Sequence, residues 1–190
     1  LGILSNIGKI RNIENFKNYL ILGEISLNGE VKSVKGAINA TILAKEKGIR
    51  GVIIPYENYD EACLISGVEI VPVSKIEEAV NFLNGKISLD ELHKSMKEKM
   101  ILKKKEKSKN NREEKNEIDF SDVKGQFLAK RAMEIAAAGG HNIFLMGDPG
   151  SGKSMLAKRF VTILPEMSEK EIIETTKIYS ISGMLSPDKP

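Results

Sequence analysis

Apolar positions change their spacing several times along the chain, and each change predicts an element. An apolar run at residues 1–4 reads as the tail of a helix, and the mixed stretch 7–18 reads as loop. Residues 19–27 read as one strand. Asn28-Gly29 is a strong hairpin signal, because the central residues of such turns favour positive φ, and 31–34 is the returning strand. Gly36 opens a helix over 37–47 that Gly48 ends. Residues 51–55 form a buried strand, 57–66 a short helix closed by Gly67, and 68–73 another strand. Ser74 caps a helix over 75–83, with Glu77 completing a capping box. Strands alternating with helices predict a small α/β unit over residues 1–85.

From 86 to 117 the pattern dissolves into charge. The core Lys103-Lys104-Lys105-Glu106-Lys107-Ser108-Lys109 buries too little to offset its ordering entropy, so the stretch is read as a linker. A basic arm for nucleic-acid phosphates is the alternative, but no aromatic interleaves the lysines. His93, among polar neighbours, reads as surface.

Periodicity resumes over 118–190. A helix over 127–138 places Leu128, Ala132, Ile135 and Ala136 on one face, with Lys130, Arg131 and Glu134 opposite. Gly139-Gly140 stops it. Residues 142–146 are short and apolar enough for a buried strand, and 154–161 continues as helix until Pro165. Ser168 and Glu171 form a second capping box, opening a helix that runs to about residue 179. No internal repeat is visible.

Composition changes this picture little. The 190 residues are 41% hydrophobic and 29% charged, with net charge +3, which is too mild to argue for nucleic acid. No apolar run approaches the roughly 20 residues that cross a bilayer, and no secretory signal pattern opens the chain. The single Cys63 cannot pair within the chain, which fits a reducing cytosol, and its neighbours Ala62 and Leu64 predict a buried thiol. The chain begins with Leu, which predicts a piece of a longer protein cut at both ends.

The chemistry concentrates in Gly147-Asp148-Pro149-Gly150-Ser151-Gly152-Lys153-Ser154, which fits G-x-x-x-x-G-K-[ST]. A triphosphate is a dense anion. Backbone N–H groups surround it only where side chains stay clear, hence the glycines. The following helix, with Met155 in its first turn, offers unpaired amides and a positive dipole end. Lys153 brings a charge able to reach the β- and γ-phosphates. The Ser154 hydroxyl suits Mg²⁺, which prefers oxygen ligands, and Pro149 stiffens the loop.

Helix, Gly-Gly, apolar run, phosphate loop and helix together resemble the opening of an AAA+ ATPase module. The lead-in Asp119-Phe120-Ser121-Asp122-Val123-Lys124-Gly125-Gln126 is similar to the superfamily segment that packs along adenine, which implies Val123, Gly125 and Gln126 as base contacts. With 129–142, Ile163-Leu164-Pro165 and Ile178-Tyr179-Ser180-Ile181-Ser182-Gly183, these blocks resemble the YifB/ComM family of bacterial magnesium chelatase-like AAA+ ATPases. In the first half, 23–31, Val34, Gly36 and Ile54-Pro55-Tyr56-Glu57-Asn58 resemble the Lon-protease-like domain that precedes the ATPase in that family. The resemblance implies ATP and Mg²⁺ as cofactors, a cytoplasmic homo-oligomeric ring, no membrane, and coupling of hydrolysis to DNA remodelling in recombination and natural transformation. A chelatase subunit acting on a porphyrin shares the same core and is the alternative. A Ser–Lys protease is disfavoured, because the Lon pattern puts Ile38 in the lysine's place and Lys35 starts about one turn too early. No residue here is read as catalytic. The acidic strand and arginine finger that hydrolysis needs are expected beyond Pro190, so this stretch alone is expected to bind nucleotide weakly without turning it over.

Overall fold

The structure is a computed structural model and describes residues 1–110 and 118–185. The expectations that fall on 111–117 and on the Ser186–Pro190 end lie outside the described residues. The described chain divides into two compact units, one of residues 1–110 with 169–185 and one of 118–168.

The first unit begins with two short helices, α1 (Gly2–Asn6) and α2 (Ile13–Lys17). The second occupies the stretch expected to be loop. The Asn12 side chain caps it by accepting from the Asn15 amide at 2.9 Å, a local signal that mixed polarity hides. Then come β1 (Tyr19–Ile21), β2 (Glu24–Ile25) and β3 (Val31–Lys32). The single strand expected over 19–27 is thus two, parted at Leu22-Gly23. The hairpin turn also differs from expectation. Ser26 C=O accepts from Gly29 N–H at 2.9 Å, and only Gly29 takes positive φ (81°), so the loop is a three-residue one with glycine in the left-handed position.

The remaining elements are α3 (Ala37–Glu46), β4 (Gly51–Pro55), α4 (Tyr59–Cys63), β5 (Glu69–Val73) and α5 (Ile76–Leu83). Strands β1, β4 and β5 form a parallel sheet with β4 in the middle, in the register Leu20↔Val52 and Val52↔Ile70. Every residue of β4 is buried. Alternation along the strands divides the core in two. Val52, Ile54 and Ile70 meet Ala44 and Ala62, while Ile53, Val71 and Val73 meet Ala79, Phe82 and Leu83.

Within the stretch 86–117 read as a linker, α6 (Leu89–Asn110) forms. Leu92 and Met96 lie on its buried side, and Leu92 joins the Phe82 cluster, so two anchors one turn apart fasten a helix whose average composition is polar. His93 is likewise more than surface. It is half-buried, its Nε2 lies 2.9 Å from the Ile70 carbonyl, and its ring meets Tyr59 edge-on. Cys63 is exposed, not buried; Ala62 and Ile65 take the inward positions. Desolvation still pushes its thiol pKa up, against a hydrogen bond with Tyr59 that lowers it, so the group is no activated nucleophile.

At the start of α5 the reaching carboxylate is Glu78, one residue beyond the expected Glu77. Glu78 accepts from the Ser74 amide at 2.7 Å and from the Lys99 ammonium at 2.9 Å, and Lys99 also bonds the Ser74 hydroxyl. Burial works against this carboxylate, but the Ser74 amide, Lys99 and the Ser74 hydroxyl outweigh it and hold the pKa below the usual value. A depressed folded pKa contributes stability above the unfolded value, near 4.3, that is lost as pH falls through the folded one. Glu78→Gln is therefore expected to cost about 1 kcal/mol at pH 7, and the difference should shrink steadily below about pH 4. Urea titrations at both pH values read it directly.

Helix α9 (Glu169–Ser182) completes the first unit by packing on α3. Thr176 and Ser180 are buried there, and the Ser180 hydroxyl accepts from the Gly36 amide at 2.8 Å. α9 runs to Ser182, past the expected residue 179.

The second unit holds a one-turn 3-10 helix at Phe120–Asp122, then α7 (Phe127–Gly139) and α8 (Lys153–Phe160). Its core is Phe120, Val123, Met133 and Leu156, with Ala129, Ile143, Leu145 and Phe160 against it. The inward face of α7 is Ala129, Met133, Ala136 and Ala137; Ala136 faces inward as expected, but Leu128, Ala132 and Ile135 do not. Leu128 and Ile135 are 87% and 53% exposed. The helix carries two apolar stripes, and the one with small alanines allows close approach to Phe120 and Leu156. Residues 142–146 are also not a strand among the described residues. Ile143 and Leu145 face the core while Phe144 and Met146 face outward, which is strand-like alternation without a ladder partner.

Candidate functional site

The glycine-rich loop lies where the extended 142–146 stretch meets α8. Gly150 and Gly152 both sit in the left-handed region, at φ 83° and 87°, where a side chain is strained. At Gly147 an added Cβ would crowd the Ser151 hydroxyl at 3.2 Å. Ser151 N–H donates to the Asp148 carbonyl at 3.2 Å and tightens the bend. Asp148, Pro149, Gly150 and Ser151 are exposed along it.

Gly152 is the N-cap of α8, and its carbonyl takes the first helical hydrogen bond, from Leu156 N–H at 3.0 Å. The amides of Lys153, Ser154 and Met155 precede that bond and have no acceptor inside the helix. Lys153 curls back into the loop. Its ammonium donates to the carbonyls of Gly147 at 2.8 Å and Asp148 at 2.7 Å and to the Ser151 hydroxyl at 3.1 Å. One cation and three successive helix-end amides thus lie at this turn, and the neighbouring Ser154 is exposed. This donor set is complementary to a phosphate chain, and the Ser154 hydroxyl offers a hard oxygen to a magnesium ion.

Three contacts position the lead-in segment. Phe120 N–H donates to Thr162 Oγ1 at 3.1 Å, and Thr162 Oγ1 in turn donates to the Arg159 carbonyl at 2.8 Å, which binds the segment to the end of α8. The Lys130 ammonium donates to the Val123 carbonyl at 3.0 Å and stands over the Phe120 ring. Asp119 caps the turn, and hydrogen bonds from Ser121, side chain first and amide second, hold its carboxyl below the usual range. Of the three residues implied as base contacts, Val123 is buried in the core and Gly125 is exposed. Gln126 reaches the loop itself, donating from Nε2 to the Ser151 carbonyl at 3.3 Å. Periodicity gave no warning of that link, which depends on a backbone conformation.

In the first unit, a cavity of about 670 Å³ is lined by Glu24, Ser33, Lys35, Asn58, Glu61 and Ser180, among others. Ile38 is fully buried in α3. Among the described residues no hydrogen bond joins the Lys35 ammonium to a serine hydroxyl, and Ser180 accepts from a backbone amide instead. Asn58 missed notice in the sequence as a structural residue. Its amide bonds both the N–H and the C=O of Val34, at 3.0 and 2.8 Å, and so substitutes for a neighbouring strand.

Comparison with known proteins finds two family matches along the chain. Residues 119–190 match the family of the magnesium chelatase subunit ChlI, and residues 1–58 match a second ChlI-subunit family. The first match crosses the packing boundary between α8 and α9. The competence protein ComM of Haemophilus influenzae is 37% identical over 181 residues, which is 95% of this chain and 33% of ComM. The uncharacterized protein YifB of Escherichia coli is 35% identical over 171 residues, 90% of this chain and 31% of YifB. Lon protease 2 of Bacillus subtilis is 45% identical over 82 residues, 42% of this chain and 14% of the protease. The chain spans about a third of the length of the curated relatives ComM and YifB. The two family matches make the chain similar to magnesium chelatase subunits, and part of it is similar to a Lon protease. Over most of its length the chain is similar to ComM and YifB, in keeping with the YifB/ComM resemblance of its motifs. No described helix is long and apolar enough to cross a membrane.

Proposed function

We propose that this chain is the ATP-binding part of a ComM-like AAA+ ATPase that couples hydrolysis to DNA remodelling in the whole protein. The observation that carries the reading is the Lys153 ammonium held inside a bare loop at the N-terminus of α8. Gly147, Gly150, Gly152 and the amides of Lys153, Ser154 and Met155 would hold the phosphates, and Ser154 would supply an oxygen to Mg²⁺. When bound, the ion polarises the phosphate oxygens for transfer. Residues 118–190 form the ATPase portion and 1–85 the Lon-like portion in this reading, within a cytoplasmic homo-oligomeric ring. Peptidase activity does not fit, since buried Ile38 offers no base.

The match to a chelatase subunit supports a second reading, an ATPase that drives magnesium into a porphyrin. An ATPase assay of the whole protein with branched DNA, porphyrin or casein separates the three. Stimulation by branched DNA is expected, stimulation by porphyrin would favour the chelatase, and casein cleavage the protease.

A further inference from the structure

Gln126 is the only non-glycine residue at positive φ among those described, at φ 54° and ψ 35°. It follows Gly125, which is also left-handed, and is the N-cap of α7, with its carbonyl accepting from Lys130 N–H at 2.9 Å. A left-handed L-residue costs about 1–2 kcal/mol and persists where surrounding contacts determine it. Glycine would take this conformation freely. What glutamine adds is a carboxamide long enough to reach the Ser151 carbonyl, at 3.3 Å.

That carbonyl belongs to the planar peptide that also carries the Gly152 N–H, and in a trans peptide the two point in opposite directions. Holding one therefore aims the other. Resting on the nucleotide-binding reading above, we propose that Gln126 is a positioning residue for the phosphate loop and not a contact for the base. It fixes the Ser151–Gly152 peptide so that the Gly152 amide faces away from α7, beside the free amides that open α8. The other side of Ser151 is held independently, by its N–H to Asp148 and by Lys153 on its hydroxyl. The carbonyl is the one handle on this peptide that the lead-in segment grips.

The test compares two ligands on the full chain, Mg·ATP and Mg·tripolyphosphate, by titration calorimetry. Tripolyphosphate has the phosphates without the base. Gln126→Gly removes the strut and keeps the backbone angle; Gln126→Glu keeps size and removes the donor, and serves if the glycine loosens α7. Each variant is expected to weaken both ligands by the same factor, about three- to tenfold, the worth of one hydrogen bond. In the ligand-free protein the Gly152 amide resonance should move while those of Met133 and Leu156 stay in place. Loss confined to Mg·ATP would make Gln126 a base contact and overturn the proposal, as would unchanged affinity for both. If Lys153→Ala also leaves both ligands unaffected, the phosphate-loop reading itself fails and takes this proposal with it.

Discussion

Lys153→Ala is expected to weaken Mg·ATP binding by about ten- to a hundredfold, the equivalent of one lost charge-assisted hydrogen bond to phosphate at about 1.5–3 kcal/mol. The ammonium is the only side-chain cation bonded into the loop among the described residues, and its three partners are loop oxygens. Its removal subtracts the one positive charge at the centre of the turn and releases the carbonyls of Gly147 and Asp148. The helix-end amides remain, so some affinity for phosphate should survive. Lys153→Arg should not restore it, because a planar guanidinium cannot place three protons in the same small turn. Titration with a fluorescent ATP analogue measures both variants.

The second large effect is on the fold. Gly51 opens the central strand β4, and a Cβ there would lie 2.4 Å from the Glu69 carbonyl oxygen, 2.9 Å from Glu69 Cβ and 2.9 Å from the Tyr19 ring. The first of these is backbone of the paired strand β5 and cannot swing away. Gly51→Ala is therefore expected to destabilise the first unit by about 3 kcal/mol, at the upper end for overpacking, by forcing β1 and β5 apart from β4. Gly2→Ala, which meets nothing within 4 Å, should not destabilise it. The four tyrosines, Tyr19, Tyr56, Tyr59 and Tyr179, all lie in this unit, and the chain has no tryptophan. Tyrosine fluorescence in urea therefore reports on this unit alone.

How much of this was legible in the sequence depended on whether the signal was local. The buried strands are short, mostly apolar runs between glycine-marked helices; Gly51–Pro55 appears as read, and Glu69–Val73 starts one residue later than the 68–73 read. The glycine loop was legible because its spacing follows from the chemistry of a bare turn before a helix. Features set by partners distant in sequence were not. α6 depends on Leu92 and Met96 finding the α/β core, which average polarity conceals. The inward face of α7 depends on which of two apolar stripes Phe120 and Leu156 accept. Residues 142–146 carry a strand's alternation, but a strand also needs a ladder. His93 is held by a carbonyl 23 positions away, and Gln126 by one 25 positions away. Both are single contacts that no period announces.

The most direct measurement is an amide map of the ¹⁵N-labelled chain titrated with Mg·ATP. If residues 147–154 clasp the nucleotide's phosphates, the largest shifts should fall on Gly150, Gly152, Lys153, Ser154 and Met155, and Lys153→Ala should suppress them. Shifts concentrated in the first unit, or a spectrum indifferent to Mg·ATP at millimolar concentration, would contradict it.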